Sequence, residues 1–374
     1  MRLPGLSAKL PDTPWATSVS ARLELKRKAD VHQSGSRGHD PYRPATAIDC
    51  SGEVSVVISR PPKPAIPVTH LARRRALRSG ALVIWAAALT VQCLIGGIPI
   101  DRPQQTLWIL AGITAATIGS SRRRLLRMLI DWVPWVGLLV VYDLSRGVAD
   151  TLGRPIHVTQ PLAVDKELGG GTVPTVWLQD HLYDPTHLHW WDVAASVVYV
   201  SHFFTAWVIV AVLYVRSRER WAAFASRILL LSFAGLATYV LYPAAPPWFA
   251  GREGLTPHIH RFSGQGFRAF GLDAAEPLIT KGQAAANSFA AVPSLHAAFA
   301  FLICLFFWPG ASTWRRCLLA AYPLAMGFSL VYTGEHYVID VMLGALYASG
   351  TVWVAGFAGR RFQRRGERIA SELR

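Results

Sequence analysis

The chain has 374 residues, of which 52% are hydrophobic and only 16% are charged. The apolar residues are concentrated in long runs, which excludes an ordinary soluble domain and indicates a polytopic membrane protein of the all-α class. The formal net charge of +15 would suit a nucleic-acid-binding protein. However, the basic residues cluster at the ends of the apolar runs, as topology signals do, so we predict no nucleic-acid partner.

The N-terminal segment, residues 1–76, is polar, basic and rich in proline and serine. Because such a segment buries little apolar surface, we predict a disordered cytoplasmic arm, with no secretory signal peptide before the first apolar run. The chain has four cysteines, and none of them belongs to a CxxC pair. This spacing predicts neither a disulfide framework nor a metal site.

Eight apolar stretches in the remaining chain are long enough, or nearly so, to cross a hydrocarbon core of about 30 Å. Their approximate bounds are 80–98, 105–120, 129–148, 191–215, 224–243, 294–309, 317–334 and 337–358. The first two fall within residues 77–128, and the other six form a core within residues 129–358. Residues 359–374 are predicted to form a basic cytoplasmic tail.

Clusters of basic residues indicate the direction in which each stretch crosses the membrane. They lie at residues 73–78, 122–127, 216–220, 314–316 and 360–365. Placing all of them on the cytoplasmic side gives a consistent alternation of the stretches. Two long connections, residues 149–190 and 244–293, then lie on the outer side of the membrane. We predict that this membrane is the cell (inner) membrane. We also predict that the two connections form the walls and the lid of a site that faces the periplasm or exterior.

A histidine and an aspartate, His336 and Asp340, stand four residues apart where the last apolar stretch begins. In an α-helix this spacing puts two side chains on one face, about 6 Å apart. The carboxylate can then fix one ring nitrogen and leave the other as a nucleophile or base. The structural alternative is a polar pair that holds two helices together. Ionisable groups at membrane depth favour the functional interpretation.

A second histidine, His296, follows Pro293 and Ser294 at the start of the sixth stretch. Serine is a good N-cap residue, and the free N–H groups of a first helical turn form an anion site. Ser294 is therefore a helix cap, a phosphate ligand or both. His296 would stand beside the bound phosphate, which suits a general acid that protonates a leaving oxygen. The predicted topology brings His296 to the same membrane face as His336 and Asp340.

The sequences PSLH (293–296) and HYVID (336–340) resemble motifs of the type 2 phosphatidic acid phosphatase (PAP2) superfamily. They are most similar to those of the branch that includes the fungal inositol phosphorylceramide synthases. The resemblance covers the predicted six-helix core and implies the PAP2-like fold for it. It also implies that His336 attacks phosphorus to form a phosphohistidine, that Asp340 orients His336 and that His296 protonates the leaving group.

The chain also departs from the superfamily pattern. The superfamily has a Ser-Arg pair seven residues before the nucleophilic histidine, and here that pair is Ser329 and Leu330, so the phosphate-binding arginine is missing. Residues 242–252, YPAAPPWFAGR, resemble a Pro-Pro-Trp stretch of the synthase branch, and Arg252 is a candidate cation. Three other cations of the same connection are rival phosphate ligands: Lys281, Arg261 and Arg268.

Several other polar residues have both a structural and a functional interpretation. Residues 181–192 contain zinc-binding residue types without a zinc-binding spacing, so a cap for the fourth stretch is favoured. Asp143 and Arg146 form either an ion pair or a substrate contact, and His202 either lines the cavity or bonds to a neighbouring helix. Three tyrosines are hydroxyl donors to substrate or interfacial belt residues: Tyr242, Tyr332 and Tyr337.

Together these features predict a membrane lipid phosphotransferase or phosphatase that needs no metal or other cofactor. The missing Ser-Arg pair favours transfer of an inositol-phosphate head group between lipids. The alternative in the same class is a phosphatase acting on a polyprenyl phosphate or a glycerolipid phosphate. The alternatives in other classes are a lipid transporter, which would be expected to show inverted repeats and interrupted helices, and a non-catalytic membrane scaffold.

Overall fold

The computed structural model describes most of the chain after residue 67 and two short segments before it. The described residues are 46–48, 54–56, 68–95, 102–118, 122–149, 152–272, 277, 279 and 288–372. The chain divides into two compact units, residues 1–66 and residues 67–374.

In the first unit, strands β1 (Thr46–Ile48) and β2 (Val54–Val56) pair in an antiparallel ladder. Both strands lie within the segment for which the sequence predicts disorder. The rest of that segment up to residue 67 lies outside the described residues. The prediction of a disordered cytoplasmic arm therefore stays a prediction for those residues.

The described part of the second unit is helical. Its α-helices are α1 (Val68–Ile95), α2 (Arg102–Ala116), α3 (Arg122–Ala149), α4 (Thr159–Leu168), α5 (Pro174–Leu182), α6 (Trp190–Arg216), α7 (Arg218–Leu241), α8 (Pro247–Arg252), α9 (Leu295–Phe307), α10 (Thr313–Tyr332) and α11 (Val338–Glu372). A 3-10 helix over Gln265–Phe270 lies between α8 and α9.

A helix lies at each of the eight apolar stretches, namely α1, α2, α3, α6, α7, α9, α10 and α11. Five segments of the described helices are long and apolar enough to cross a membrane: Arg73–Cys93, Leu126–Arg146, Trp190–Arg216, Arg218–Leu241 and Val338–Arg361. The all-α, multi-pass membrane architecture predicted from the sequence is confirmed. The count of eight crossings stays a prediction.

Several helices differ in extent from the predicted stretches: α1 and α3 have 28 residues each and begin before them, and α1 begins at Val68, inside the predicted disordered arm. The helix α2 has 15 residues and α9 has 13, so both span roughly 20 Å, less than a hydrocarbon core of about 30 Å. The chain before α9 does not join the helix, because it pairs with the segment after α7. Ala244 N donates to Phe289 O at 2.8 Å, and Ala291 N donates to Ala244 O at 3.4 Å. In contrast, α11 continues through the predicted tail to Glu372.

Large aromatic side chains fill the core between α3, α6 and α7. Trp132 of α3 is fully buried and meets Trp135 and Tyr214 edge to face, with ring centroids 5.4 and 5.5 Å apart. The Trp135 indole N–H donates to Ala225 O of α7 at 3.1 Å. Edge-to-face pairs add about 1 kcal/mol each beyond the apolar area that they bury, so this cluster fixes the helices that carry the site.

The two long connections pack over one end of the helices. They supply α4, α5, α8 and the 3-10 helix. The buried side chain of Gln179 in α5 ties them together, since its amide donates to His260 O and to Tyr332 O, both at 2.9 Å. Its carbonyl oxygen accepts from His260 N at 2.9 Å. The prediction that these connections wall a site is consistent with this packing, because Tyr332 lies just before the predicted catalytic segment.

Candidate active site

The site is built where α9 and α11 approach each other closely. A Cβ atom on Gly344 of α11 would lie 2.6 Å from Ser294 O and 3.2 Å from Ala298 N, so only glycine fits at this crossing. Ser294 N donates to Asp340 O at 3.0 Å. From the other side, the buried Tyr239 hydroxyl of α7 donates to Pro293 O at 2.8 Å. These contacts place the first turns of α9 and α11 next to each other.

His336 and Asp340 form the pair that their spacing predicts. His336 Nδ1 lies 3.3 Å from Asp340 Oδ2, and the two residues are 6% and 0% exposed. The same oxygen accepts from Tyr337 N at 2.9 Å. Because a carboxylate only accepts, Nδ1 carries the proton that it donates, and Nε2 keeps its lone pair. His336 is therefore held as the tautomer whose outer nitrogen can act as a nucleophile.

His296 lies directly across from His336, with the two ring centroids 5.6 Å apart. It occupies the first turn of α9, where Ser294 is the N-cap residue and accepts from Ala297 N at 3.3 Å. The predicted helix start and capping role of Ser294 are thus present. A group that binds at the start of α9 meets the helix N-terminus and His296 together, which is the environment of a general acid beside an anion.

A third imidazole, His202 of α6, stands behind His296. Its ring centroid is 4.1 Å from that of His296, and Tyr199 lies on the same ring at 5.3 Å. From the sequence, His202 either lines the cavity or bonds to a neighbouring helix. The structure places it beside His296. His202 belongs to no short sequence motif. Its position inside an apolar stretch was the sequence feature that indicated a possible role.

The loop that presents His336 is held by its own backbone and by the packed connections. Gly334 has φ +76°, and a Cβ there would lie 2.8 Å from His260 O. Thr333 Oγ1 donates to Ser329 O at 2.7 Å, and Glu335 N donates to Leu330 O at 3.0 Å. The positive φ and the close approach both require glycine at this turn, so the TGEH sequence fixes the direction in which His336 leaves α10.

Arg261 is the candidate cation that the fold holds most firmly. Its guanidinium donates to Glu335 through Nε and Nη2, each at 3.0 Å, and lies 4.9 Å from the Trp248 ring. Ser263 Oγ also donates to Glu335. The ion pair with Glu335 uses only part of the guanidinium, and its remaining N–H groups can serve an anion.

The other predicted cations are placed differently. Arg252 is exposed, lies 3.3 Å from Glu253 and stacks 4.5 Å from the Phe249 ring. Arg268 is exposed in the 3-10 helix. Lys281 lies outside the described residues. In contrast, Arg261 has a buried ion-pair partner, Glu335, directly before His336 in the chain.

The tyrosines and Ser329 make mostly structural contacts. The Tyr332 hydroxyl donates to Asp192 Oδ1 at 2.5 Å and to Leu182 O at 3.2 Å. The Ser329 hydroxyl donates to Ala195 O at 2.7 Å. Tyr337 is fully buried among apolar residues of α5 and the loop before the 3-10 helix. The Tyr242 hydroxyl donates to Gln160 at 3.1 Å. Substrate contacts by Tyr332 and Tyr337 stay a prediction.

Residues 181–192 form a cap for α6, as their sequence favoured. Asp192 Oδ2 accepts from His189 N at 2.8 Å, and Asp184 accepts from the hydroxyl and the N–H of Thr186. These two hydrogen bonds lower the pKa of Asp184. Within the described part of the chain, no three histidine, cysteine or acidic side chains are grouped in a way that could hold a metal ion.

Comparison with known proteins bears on this site. A family model of the PAP2 superfamily matches residues 163–354, which include both histidine motifs. Phosphoinositol dihydroceramide synthase of Bacteroides thetaiotaomicron is 29% identical over 230 residues, or 58% of this chain and 73% of that protein. The inositol phosphorylceramide synthase catalytic subunit of Schizosaccharomyces pombe is 26% identical over 162 residues, or 42% of this chain and 38% of that protein. No solved structure gives a significant match.

The two relatives confirm the resemblance to the inositol phosphorylceramide synthase-like branch that the motifs indicate. The family match falls inside the predicted core and covers half of the chain. Together with the apolar helices, these matches show that the protein belongs to the PAP2 superfamily and is a multi-pass membrane enzyme of its lipid phosphotransferase or phosphatase type.

Proposed function

We propose that this enzyme transfers a phosphoryl-linked head group from a membrane lipid to a hydroxyl group through a phosphohistidine at His336. The observation that carries the proposal is the convergence of two imidazoles and one carboxylate. The rings of His296 and His336 are 5.6 Å apart, and Asp340 lies behind His336. At this separation both rings can contact one bound phosphoryl group, which is the geometry that covalent catalysis needs.

The substrate class follows from the two relatives. One is named a phosphoinositol dihydroceramide synthase and the other an inositol phosphorylceramide synthase catalytic subunit. We therefore propose a phosphatidylinositol-type glycerolipid as the donor and a ceramide-type lipid hydroxyl as the acceptor. A membrane enzyme meets both lipids by diffusion within the bilayer.

In the first half-reaction, Nε2 of His336 attacks the phosphorus of the donor. A P–N bond forms while the P–O bond to diacylglycerol breaks, and protonated His296 gives its proton to the leaving oxygen. Asp340 stabilises the positive charge that develops on the His336 ring. The products are free diacylglycerol and an inositol-phosphohistidine.

In the second half-reaction, neutral His296 takes the proton of the acceptor hydroxyl. The acceptor oxygen attacks phosphorus, a new P–O bond forms, and the P–N bond to His336 breaks. His336 returns to its neutral form and His296 is protonated again, so the cycle closes with no net change in the enzyme.

The negative phosphate oxygens must be neutralised before an imidazole can attack. We propose that Arg261 supplies this charge in place of the arginine that the Ser-Arg pair lacks, with the N-terminus of α9 adding N–H donors. Three further residues stay proposed substrate-binding residues: Ser294 at the start of α9, and Arg252 and Lys281 in the chain segment between α7 and α9.

We also propose that the site faces the outside of the cell membrane. The charge distribution supports this orientation, because the basic clusters lie at the helix ends remote from His336. Arg218 at that opposite end pairs with Asp131, with Nε and Nη2 at 2.6 and 2.5 Å from the carboxylate. Basic residues are enriched on the cytoplasmic side of membrane proteins.

The test uses purified protein in detergent with phosphatidylinositol labelled with ³²P and with dihydroceramide as acceptor. We expect a protein-bound label that is stable in alkali and lost in acid, as a phosphohistidine is. His336→Ala should remove the label and lower transfer about 10³-fold or more. His296→Ala should lower transfer about 10²-fold to 10³-fold. His187→Ala, at an exposed histidine near the same end, is the matched control.

Label at a residue other than His336, or wild-type transfer by His296→Ala, would contradict the proposal. The same experiment separates a transferase from a phosphatase, because water in place of the acceptor releases free inositol phosphate. The superfamily match favours the phosphatase as the second candidate. Phosphatidic acid and a polyprenyl phosphate are the substrates to test for it.

A further inference from the structure

A buried carboxylate outside the catalytic pair contacts the helix that carries that pair. Asp165 of α4 is 0% exposed, and its Oδ1 accepts from Ile339 N at 3.2 Å. Ile339 lies in the first turn of α11, where backbone N–H groups have no partner within the helix. Asp165 therefore acts as a helix cap that comes from a different helix, 174 residues away in the chain.

The start of α11 needs such an external cap because its own side chains are committed elsewhere. Asp340 Oδ2 already accepts from Tyr337 N and lies against His336. Glu335 is paired with Arg261. Tyr337, which directly precedes the helix, is buried in an apolar cluster. If Asp340 turned to serve the amide of Ile339, it would leave His336.

The surroundings of Asp165 couple it to the catalytic pair. Burial raises the pKa of Asp165 to about 6, and the charge of Asp340 adds to this rise. Asp340 is the titratable group that acts on Asp165 among the described residues. Asp165 Oδ2, Tyr337 Oη and Asp340 Oδ1 are all buried without a hydrogen-bond partner in the described part of the chain. A buried carboxylate is costly unless it is hydrogen-bonded, and the amide of Ile339 supplies that hydrogen bond.

We propose that Asp165 is a positioning residue for the catalytic pair. By holding the amide of Ile339, it fixes the first turn of α11 and keeps Asp340 directed at His336. This inference rests on the proposed role of His336 as nucleophile. It assigns the positioning of Asp340 to the hydrogen bond that Asp165 accepts from Ile339 N.

The variants Asp165→Asn and Asp165→Ala separate the hydrogen bond from the charge. Asparagine keeps an acceptor oxygen for the Ile339 amide, whereas alanine removes it. Single-turnover release of diacylglycerol from labelled phosphatidylinositol, with enzyme in saturating excess, gives a rate constant that does not depend on the fraction of folded enzyme. We expect Asp165→Ala to lower this rate constant about tenfold or more. The KM for phosphatidylinositol, measured separately in the steady state, should be unchanged. Asp165→Asn should stay within about threefold of the wild type.

Glu167→Gln is the matched control, because Glu167 is an exposed carboxylate on the same helix. A wild-type rate constant in Asp165→Ala would overturn the inference while the proposed function stands. An equal loss in Asp165→Asn would overturn it too, since charge rather than the hydrogen bond would then matter. A wild type that turns over neither phosphatidylinositol nor phosphatidic acid would overturn the proposed function, and this inference with it.

Discussion

Single side chains at the candidate site divide into those that cluster around His336 and those that hold the loops. His336, Asp340 and His296 lie within one cluster of rings and carboxylate, and His202 extends it. Tyr332 and Ser329 instead donate to Asp192 and to the backbone of α6. The residue types alone do not separate the two groups, because a hydroxyl suits either role. The hydrogen-bond partner of each hydroxyl shows which role it has.

Arg261 gives a prediction at this scale. Arg261→Gln should lower kcat/KM about tenfold or more, because it removes the cation proposed to neutralise the phosphate and leaves the buried Glu335 carboxylate without its ion pair. The measurement is steady-state transfer from phosphatidylinositol, with thermal unfolding followed on the same samples.

Arg154→Gln is the control for Arg261, since Arg154 is an exposed arginine in the first long connection. If Arg261→Gln kept the wild-type kcat/KM, the phosphate would have to be neutralised by another cation. Arg252, a proposed substrate-binding cation of the same connection, would be the next to substitute.

Between whole elements, the crossing of α9 and α11 sets the distance between the two histidines. Gly344→Ala should push the helices apart, because its Cβ would meet the backbone of Ser294 and Ala298 rather than a movable side chain. We expect an overpacking cost of about 1–3 kcal/mol in stability and a fall in kcat of about tenfold. Thermal unfolding and transfer assays check both.

Gly350→Ala is the matched control on the same helix, since a Cβ there would meet nothing within 4 Å. Alanine in a helix interior is more favourable than glycine by about 0.5–1 kcal/mol, so this variant should be neutral or slightly more stable. Equal behaviour of the two variants would show that the Gly344 crossing does not set the catalytic geometry.

The helix positions were predictable because each apolar stretch is a local property of the chain. The eight stretches and Ser294 as the start of α9 are present in the structure. The length of α11 was missed for a local reason, because the predicted stretch ends where the apolar residues end. The polar residues after 358 continue α11 to Glu372, since charged residues such as Arg and Glu are good helix formers.

For the whole molecule, the two ends of the helix assembly differ in character. The end near His336 carries the long connections, and the opposite end carries the arginine clusters. This contrast gives a topology prediction. In a cysteine-free background, Asp180→Cys should react with a membrane-impermeant maleimide in intact cells. Glu219→Cys should react only after the cells are permeabilised. Both positions are exposed.

The assay needs alanine at the native cysteines, including Cys93, Cys304 and Cys317, and retained transferase activity confirms that the background is folded. Labelling of Glu219→Cys in intact cells, without labelling of Asp180→Cys, would reverse the proposed orientation. The catalytic geometry would be unaffected, because it depends on contacts within one end of the protein.

The sequence by itself determined the membrane class, the positions of the helices and the three residues of the proposed catalytic cluster. Hydropathy, the i to i+4 spacing of His336 and Asp340, and the serine before α9 are all local signals. Only the tertiary structure showed that Asp165 contacts α11, that His202 lies beside His296 and that Arg261 pairs with Glu335. Their partners lie far away in sequence, as Ile339 does from Asp165. Spacing along a chain carries no information about contacts that form only when distant helices pack.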